Sequence, residues 1–270
     1  MSDDVEDEQP GPEADLTPTL KSWEYESGTI NVRRITGLDG HPKVQMRLEL
    51  GVLQMEITGR PDGRKPHGFE SLLEYHESRL IDHKKSNGGT IQGFTLKPDD
   101  CQLLREEAAM YYQRYLSLFV LGEFPAVVRD TARNLRVLDF CGKFAVDEQD
   151  RLILEQYRPY IVMMRTRADA SIHFKDQKMH QALDVVRAGL QDIRDFFEKF
   201  GHPEAFDSCE EAKVLKRFAR EIKKKLPIGM LERLQRKLKK AVANEQYEVA
   251  ATLRDQIASM ENKPQLRHEA

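Results

Sequence analysis

The histidines are the first side chains in this chain whose spacing could support chemistry, as ligands of a metal ion. His76 and His83 lie seven positions apart, with Asp82 next to the second, and His173 and His180 repeat the interval. Seven residues of helix rise by about 10.5 Å, too far for two imidazoles to bind one metal ion without ligands from elsewhere. We therefore expect amphipathic or partly buried histidines and no metal site.

A loop between Gly59 and Gly68 gathers charged side chains between glycines and prolines. Such loops carry function more often than helical faces do. The candidates for binding an anion or a partner here are Arg60, Asp62, Arg64 and His67. The loop has no nucleophile with a base beside it, so we do not expect it to catalyse a reaction. A structural turn joining a strand to a helix is the simpler interpretation.

Sequence motifs of known catalytic sites are absent. The chain has no Gly-x-x-x-x-Gly-Lys-Ser/Thr phosphate loop, no Gly-x-Gly-x-x-Gly, no Gly-x-Ser-x-Gly elbow and no His-Glu-x-x-His zinc helix. Cys101, Cys141 and Cys209 form no Cys-x-x-Cys pair and are odd in number, which argues against a disulfide framework or a thiolate zinc site. We predict buried reduced thiols and a non-enzymatic protein that needs no cofactor.

The composition indicates a soluble, charge-rich protein that favours helices. Of its 270 residues 40% are hydrophobic and 32% are charged. No apolar run approaches the roughly 20 residues that span a bilayer. The sequence begins Met-Ser-Asp-Asp, unlike a basic and apolar signal peptide. A cytoplasmic location without membrane contact is the expectation.

Charge is unevenly distributed, although the net charge is only −3. The first fifteen residues contain acids and no base, whereas bases dominate from Lys213 to Lys240. The residues of this basic block that could contact an anion or nucleic acid are Lys223, Lys224, Lys225, Arg233, Arg236, Lys237, Lys239 and Lys240. Such a block attracts nucleic acid, an acidic protein surface or the chain's own acidic segment. A solvated helix face is the alternative.

The N-terminal third predicts a disordered acidic tail, residues 1–20, followed by a small β-rich module with one helix, residues 21–97. Apolar residues alternate up to about Thr58 and change parity at Gly51-Val52, which predicts a bulge, a sharp bend or a break in the strand. A helix follows from Phe69, and residues 90–96 are expected to return as a short strand. Order should begin at Trp23.

The rest of the chain is expected to be helical, giving an α+β fold that is predominantly α. Residues 98–205 should form antiparallel hairpins, including a helix from about Asp147 to Phe174 kinked at Pro159. At several predicted helix starts, an aromatic or methionine residue is followed three positions later by a small or β-branched residue. This pattern resembles that of tetratricopeptide hairpins. Residues 206–261 should contain a basic helix and a final hairpin, followed by a tail at 262–270.

The final hairpin is predicted by apolar spacing on either side of a polar joint, Asn244–Gln246. Residues at helical intervals of three and four precede and follow this joint: Leu231, Leu234, Leu238, Ala241 and Val242, then Tyr247, Ala250, Ala251, Leu253 and Ile257. Small Ala250 and Ala251 allow the helices to approach closely, and Tyr247 should fill the space beside the joint. Two short helices bury little surface, so an apolar face of this coiled-coil-like hairpin should seek a partner.

The run Tyr247-Glu-Val-Ala-Ala-Thr-Leu-Arg-Asp-Gln-Ile257 resembles the UVR motif, named for the UvrB and UvrC repair proteins and found also in the activator of the bacterial protein-arginine kinase and in Clp-protease adaptors. The resemblance implies a docking hairpin and an adaptor function, with a DNA-repair accessory bound to nucleic acid through the basic block as the alternative. A hairpin that only completes its own core is also compatible with the pattern. The implied partner-binding residues are Leu234, Leu238, Tyr247, Glu248, Ala250, Ala251, Leu253, Arg254, Asp255 and Ile257.

Overall fold

The computed structural model describes residues 15–226 and 230–261, without the side chains of 230–233 and 258–261. The chain divides into two compact units, one ending at Ile222 and the other beginning at Lys223. The predicted boundaries at 97/98 and 205/206 both fall within the first unit. The predicted tail at 262–270 and most of the predicted acidic tail lie outside the described residues. Order begins before Trp23, because Thr17–Ser22 forms a short helix, α1.

Three antiparallel strands form a meander in the first unit: β1 Asn31–Thr36, β2 Pro42–Leu48 and β3 Gly51–Glu56. The parity change predicted from the sequence is a complete break, since the chain turns at residues 49–50 and pairs back with Leu48 opposite Gly51. Val44, Met46 and Met55 are buried on one face of the sheet, against the side chains of Leu116 and Leu121.

Most of the rest of the first unit is helical. Its helices are α2 Leu72–Ser86, α3 Pro98–Val120, α4 Phe124–Phe144, α5 Glu148–Leu152, α6 Arg158–Lys175, α7 Met179–Lys199, α8 Ala205–Ser208 and α9 Glu210–Lys225, whose last three residues lie beyond the boundary at Ile222. Helix α4 packs against both α3 and α6, and α6 packs against α7. The predominantly α fold with a small β part is therefore confirmed.

Two predicted elements are wrong in detail. The helix expected from Asp147 to Phe174 is interrupted, and Pro159 stands in the first turn of α6 instead of kinking a longer helix. Proline is favoured there because its missing N–H has no helical partner in the first turn. Residues 90–96 form no strand, and only Leu96 pairs, in an isolated parallel bridge with Ala145.

Close packing between α6 and α7 depends on Gly189. A Cβ atom at this position would lie 2.1 Å from Thr166 Oγ1 and 2.6 Å from Thr166 Cγ2, and Thr166 is itself buried. Absence of a side chain thus allows the two helices to approach each other at this point.

The second unit contains α10, Met230–Ala243, and α11, Tyr247–Glu261, which pack against each other. The break predicted at Pro227 lies outside the described residues. Neither these helices nor the other described ones combine the length and apolar character that crossing a membrane requires.

Candidate functional site

The joint between α10 and α11 is a tight helix-ending turn. Glu245 adopts a left-handed conformation with φ of 57°. The Gln246 amide donates to the Ala241 carbonyl at 2.9 Å, and the Glu245 amide donates to the Val242 carbonyl at 3.1 Å. These two bonds form a Schellman motif, which satisfies carbonyls at the end of α10 and reverses the chain. Glutamate replaces the usual glycine, so no glycine marks the joint in the sequence.

The two helices meet through residues at matched distances from this joint. Ala241 and Ala250 are buried nearest to it, and Leu234 and Ile257 are buried farthest from it. Between them, the half-buried Leu238 and Leu253 occupy equivalent levels. Small side chains at the joint permit the closest approach there, and larger ones fill the space toward the open end. The predicted hairpin core is thus present in the described residues.

Large apolar side chains remain exposed near the joint. Val242 is 52% exposed, Tyr247 68% and Val249 51%. All three lie within about one helical turn of the joint. Tyr247 therefore does not fill the space beside the joint as expected, and the buried residues nearest the joint are Ala241 and Ala250. The predicted site omits Val249. Its position next to the buried Ala250 could have indicated that the Val249 side chain points outward.

The predicted partner-binding residues divide by burial. Leu234, Ala250 and Ile257 are buried, and Leu238 and Leu253 are half-buried. The exposed members of the set are Tyr247, Glu248, Ala251, Arg254 and Asp255. Among these residues, the exposed members and their exposed neighbours Val242 and Val249 are the most accessible to a partner while the hairpin stays closed.

Most residues of the predicted basic set in the second unit reach solvent. The exposed ones are Lys223, Lys224, Lys225, Arg236, Lys237, Lys239 and Lys240. The side chain of Arg233 lies outside the described residues. Lysines on an exposed helical face provide mobile positive charge without a preformed anion pocket.

The start of the loop from Gly59 to Gly68 is held by two helix arginines, of which Arg114 is buried and Arg129 is exposed. Arg114 of α3 donates to the carbonyls of Glu56 and Gly59 at 3.0 and 2.8 Å, and Arg129 of α4 donates to the Ile57 carbonyl at 2.8 Å. These bonds hold the end of β3 and the start of the loop against α3 and α4. The contacts therefore favour the structural interpretation of this segment.

The four charged loop candidates are not brought together as one site. Arg60 faces the carboxylates of Asp62 and Glu107 at 3.3 and 3.4 Å, which offset its charge. Arg64 is largely exposed, and the His67 ring stacks on Tyr75 with centroids 4.1 Å apart. No convergent binding pocket is formed by these side chains.

The predicted histidine pairs occupy four different environments. His76 is buried in α2, whereas the His83 ring lies 2.9 Å from the Gln92 carbonyl oxygen. His173 lies near Asp169, and His180 is exposed. Within residues 15–226 and 230–261, no group of three or more histidine, cysteine or acidic side chains could hold a metal ion. Cys101 and Cys141 are buried free thiols, and Cys209 is a half-buried one.

His76 gives the first unit a specific pH dependence. Arg79 can only donate, so its contact with His76 Nδ1 at 2.9 Å requires the neutral ring to accept there. Burial lowers the pKa of His76 to about 4, although nearby Asp100 opposes the shift. Because the unfolded ring has a pKa near 6.5, the unfolded state binds the proton first as pH falls.

We expect the free energy of unfolding to fall by about 2 kcal/mol through His76 alone between pH 7 and pH 5. The contribution is present above the unfolded pKa and is lost as pH falls toward 4. Urea unfolding of wild type and of His76→Gln at both pH values checks this result, because other titrating groups are common to the two proteins. An equal loss in both would contradict the assignment.

Residues 229–263 match the family model described as the UvrB/uvrC motif. The match covers the hairpin and leaves the first unit unassigned; it lends no support to the tetratricopeptide-like interpretation. No curated protein and no solved structure matches the chain.

Proposed function

We propose that this protein is a non-enzymatic adaptor that docks a protein partner through the joint end of its UVR-type hairpin. The exposed side chains of Val242, Tyr247 and Val249 are the observation that carries the proposal. Aromatic side chains are enriched in the buried central part of protein–protein interfaces. The match of residues 229–263 to a motif associated with repair proteins and docking supports the same interpretation.

The hairpin can present this surface without losing its own core. Its buried contacts use Leu234, Ala241, Ala250 and Ile257, which are different residues from the exposed ones. A partner can therefore bind Tyr247 while α10 and α11 remain packed. Glu248, Arg254 and Asp255 supply a charged rim on α11 that can select among partners by complementarity.

A double substitution tests this proposal. Tyr247→Asp with Val249→Asp should lower partner affinity at least about tenfold, because burying an unpaired carboxylate in an apolar interface is costly. Both positions are in the first turn of α11, where acidic residues favour the helix. Quantitative affinity capture with the full chain is the measurement.

The matched control is Thr252→Asp with Gln256→Asp, which adds the same charge at exposed polar positions of the same helix. We expect this control to retain every partner that the wild type captures. If the Tyr247 and Val249 variant also retains them all, the docking proposal is wrong.

A second candidate function is nucleic-acid binding through the exposed lysines of the second unit. Exposure of Lys223–Lys225 and of Lys237, Lys239 and Lys240 favours it. Binding of this kind weakens steeply with salt, with a slope that grows with the number of phosphates contacted. Titration of labelled single- and double-stranded DNA at about 50 mM salt, with residues 1–14 deleted, tests it. Absence of binding there removes this candidate and leaves the adaptor proposal untouched.

A further inference from the structure

The first unit contains a half-open pocket that the docking proposal does not use. Its volume is about 660 Å³, within the range of roughly 300–1,000 Å³ typical of small-molecule sites. Residues of α3 and α4, of the turn before α6, of α6 itself and of the first turn of α9 form its walls. The pocket lies wholly within the first unit.

Small side chains on α3 create the space. Ala108 and Ala109 lie on the same helical face as Arg105 and Tyr112, at spacings of three and four residues, and all four line the pocket. Leu138 of α4 adds an apolar wall opposite this face. A ligand would therefore meet mainly carbon atoms over most of its surface.

Aromatic rings form a second wall. The Tyr112 ring is 6.0 Å from the Tyr160 ring and 5.4 Å from the Tyr115 ring, in tilted and edge-on arrangements. Tyr157, which is more exposed, also lines the pocket. Burial raises the pKa of Tyr160 to about 12, so its phenol stays neutral at physiological pH. Neutral tyrosine faces carry partial negative charge that attracts cations.

The charged side chains that line the pocket are Arg105 and Glu211, and the charge of Arg167, outside the lining, also acts on Tyr160. Arg105 is paired with Asp150, which neutralises it. Glu211 accepts a hydrogen bond from the Cys209 thiol at 3.0 Å. In the described part of the chain no lysine, arginine or histidine forms an ion pair with Glu211. Glu211 thus borders the aromatic wall as a half-buried carboxylate that takes part in no ion pair among the described residues.

We propose that this pocket binds a small organic cation, an ammonium group carried on an aromatic or branched apolar body. The apolar body would pack on Ala108, Ala109 and Leu138, and the ammonium group would lie between the tyrosine faces and Glu211. An anionic ligand of the same shape would be repelled by Glu211 and by the tyrosine faces. A neutral ligand would gain only the apolar contacts.

Binding is tested on the full chain labelled with 3-fluorotyrosine, by fluorine NMR with resonances assigned through single Tyr→Phe variants. The probes are benzyltrimethylammonium, benzyl alcohol and phenylacetate, which share a ring and differ in charge. We expect saturable shifts of the Tyr112 and Tyr160 resonances, and affinity for the cation about tenfold above that for benzyl alcohol. The Tyr25 resonance, whose ring does not line the pocket, should not move.

Two substitutions and one control separate the contribution of the Glu211 charge from that of the apolar contacts. Glu211→Gln should remove most of the preference for the cation, whereas Glu210→Gln, at the adjacent exposed residue paired with Lys213 at 2.7 Å, should preserve it. Ala109→Leu, at an exposed position, should narrow the pocket and weaken binding of every probe at least about tenfold. Absence of a saturable shift with the cation, equal affinity for cation and benzyl alcohol, or binding unchanged by Ala109→Leu would overturn the proposal.

Discussion

Replacing Asp130 with alanine is expected to lower the free energy of unfolding by about 3–5 kcal/mol, the usual cost of breaking a buried ion pair. Asp130 and Arg114 side chains are each only 1% exposed. Two hydrogen bonds, of 2.7 and 2.9 Å, join the carboxylate to Nε and Nη2 of the guanidinium. Without Asp130, the Arg114 charge stays buried with only backbone carbonyls as acceptors.

Denaturant unfolding followed by the fluorescence of Trp23, the single tryptophan, measures the stability of the first unit. Asp139→Ala is the matched control on the same helix, since Asp139 is 66% exposed in its pair with Arg158. It should change stability by about 0–1 kcal/mol. Equal losses for Asp130→Ala and Asp139→Ala would show that the buried pair does not hold α3, α4 and the end of β3 together.

Glu107→Ala should destabilise the first unit by a similar amount, about 3–5 kcal/mol. The Glu107 side chain is completely buried and binds three groups: it pairs with Arg133, it lies 3.4 Å from Arg60 Nε, and it accepts from the Leu72 amide at 2.8 Å. Burial lowers the pKa of Arg133 to about 9, so this arginine is still charged at neutral pH. Alanine would leave the Arg133 guanidinium without its carboxylate, with Asn134 Oδ1 as its remaining side-chain acceptor, and would remove the acceptor of the first amide of α2.

The adjacent Glu106 provides the control for this change. Glu106 is exposed and accepts from the Gln102 side chain at 3.0 Å, so Glu106→Ala should cost at most about 0.5 kcal/mol. Thermal and urea unfolding of the two variants make the comparison. A Glu107→Ala protein as stable as Glu106→Ala would contradict the role of Glu107 as the junction between α2, α3 and α4.

The hairpin could be predicted from the sequence because the residue pattern that specifies it lies within one short segment. Helical spacing on both sides of a short polar joint requires only neighbouring residues, and Ala241, Ala250 and Ile257 are buried as that spacing implies. The direction of Tyr247 was not predictable from spacing alone. It depends on how closely the two helices approach at the joint, which the alanine pair and the backbone turn at Glu245 determine.

The charged core of the first unit could not be predicted from the sequence. Arg114 and Asp130 are separated by sixteen positions on two helices, and isolated charges on a helix normally indicate a solvated face. Their burial follows from the packing of α3 on α4 and from the free carbonyls at the end of β3. The same long-range contacts hold the start of the charged loop from Gly59 to Gly68 against the helices, which favours its interpretation as a structural connection.

The adaptor proposal is tested most directly by cross-linking at the exposed ring. Tyr247 is replaced with the photoreactive benzoylphenylalanine in the full chain, and the same residue is placed at Ile81, which is 53% exposed in the first unit. After irradiation in cell extract, we expect a discrete cross-linked partner from position 247 that position 81 does not give and that Val249→Asp removes. No adduct at position 247, or the same adducts from both positions, would contradict docking through the joint end of the hairpin.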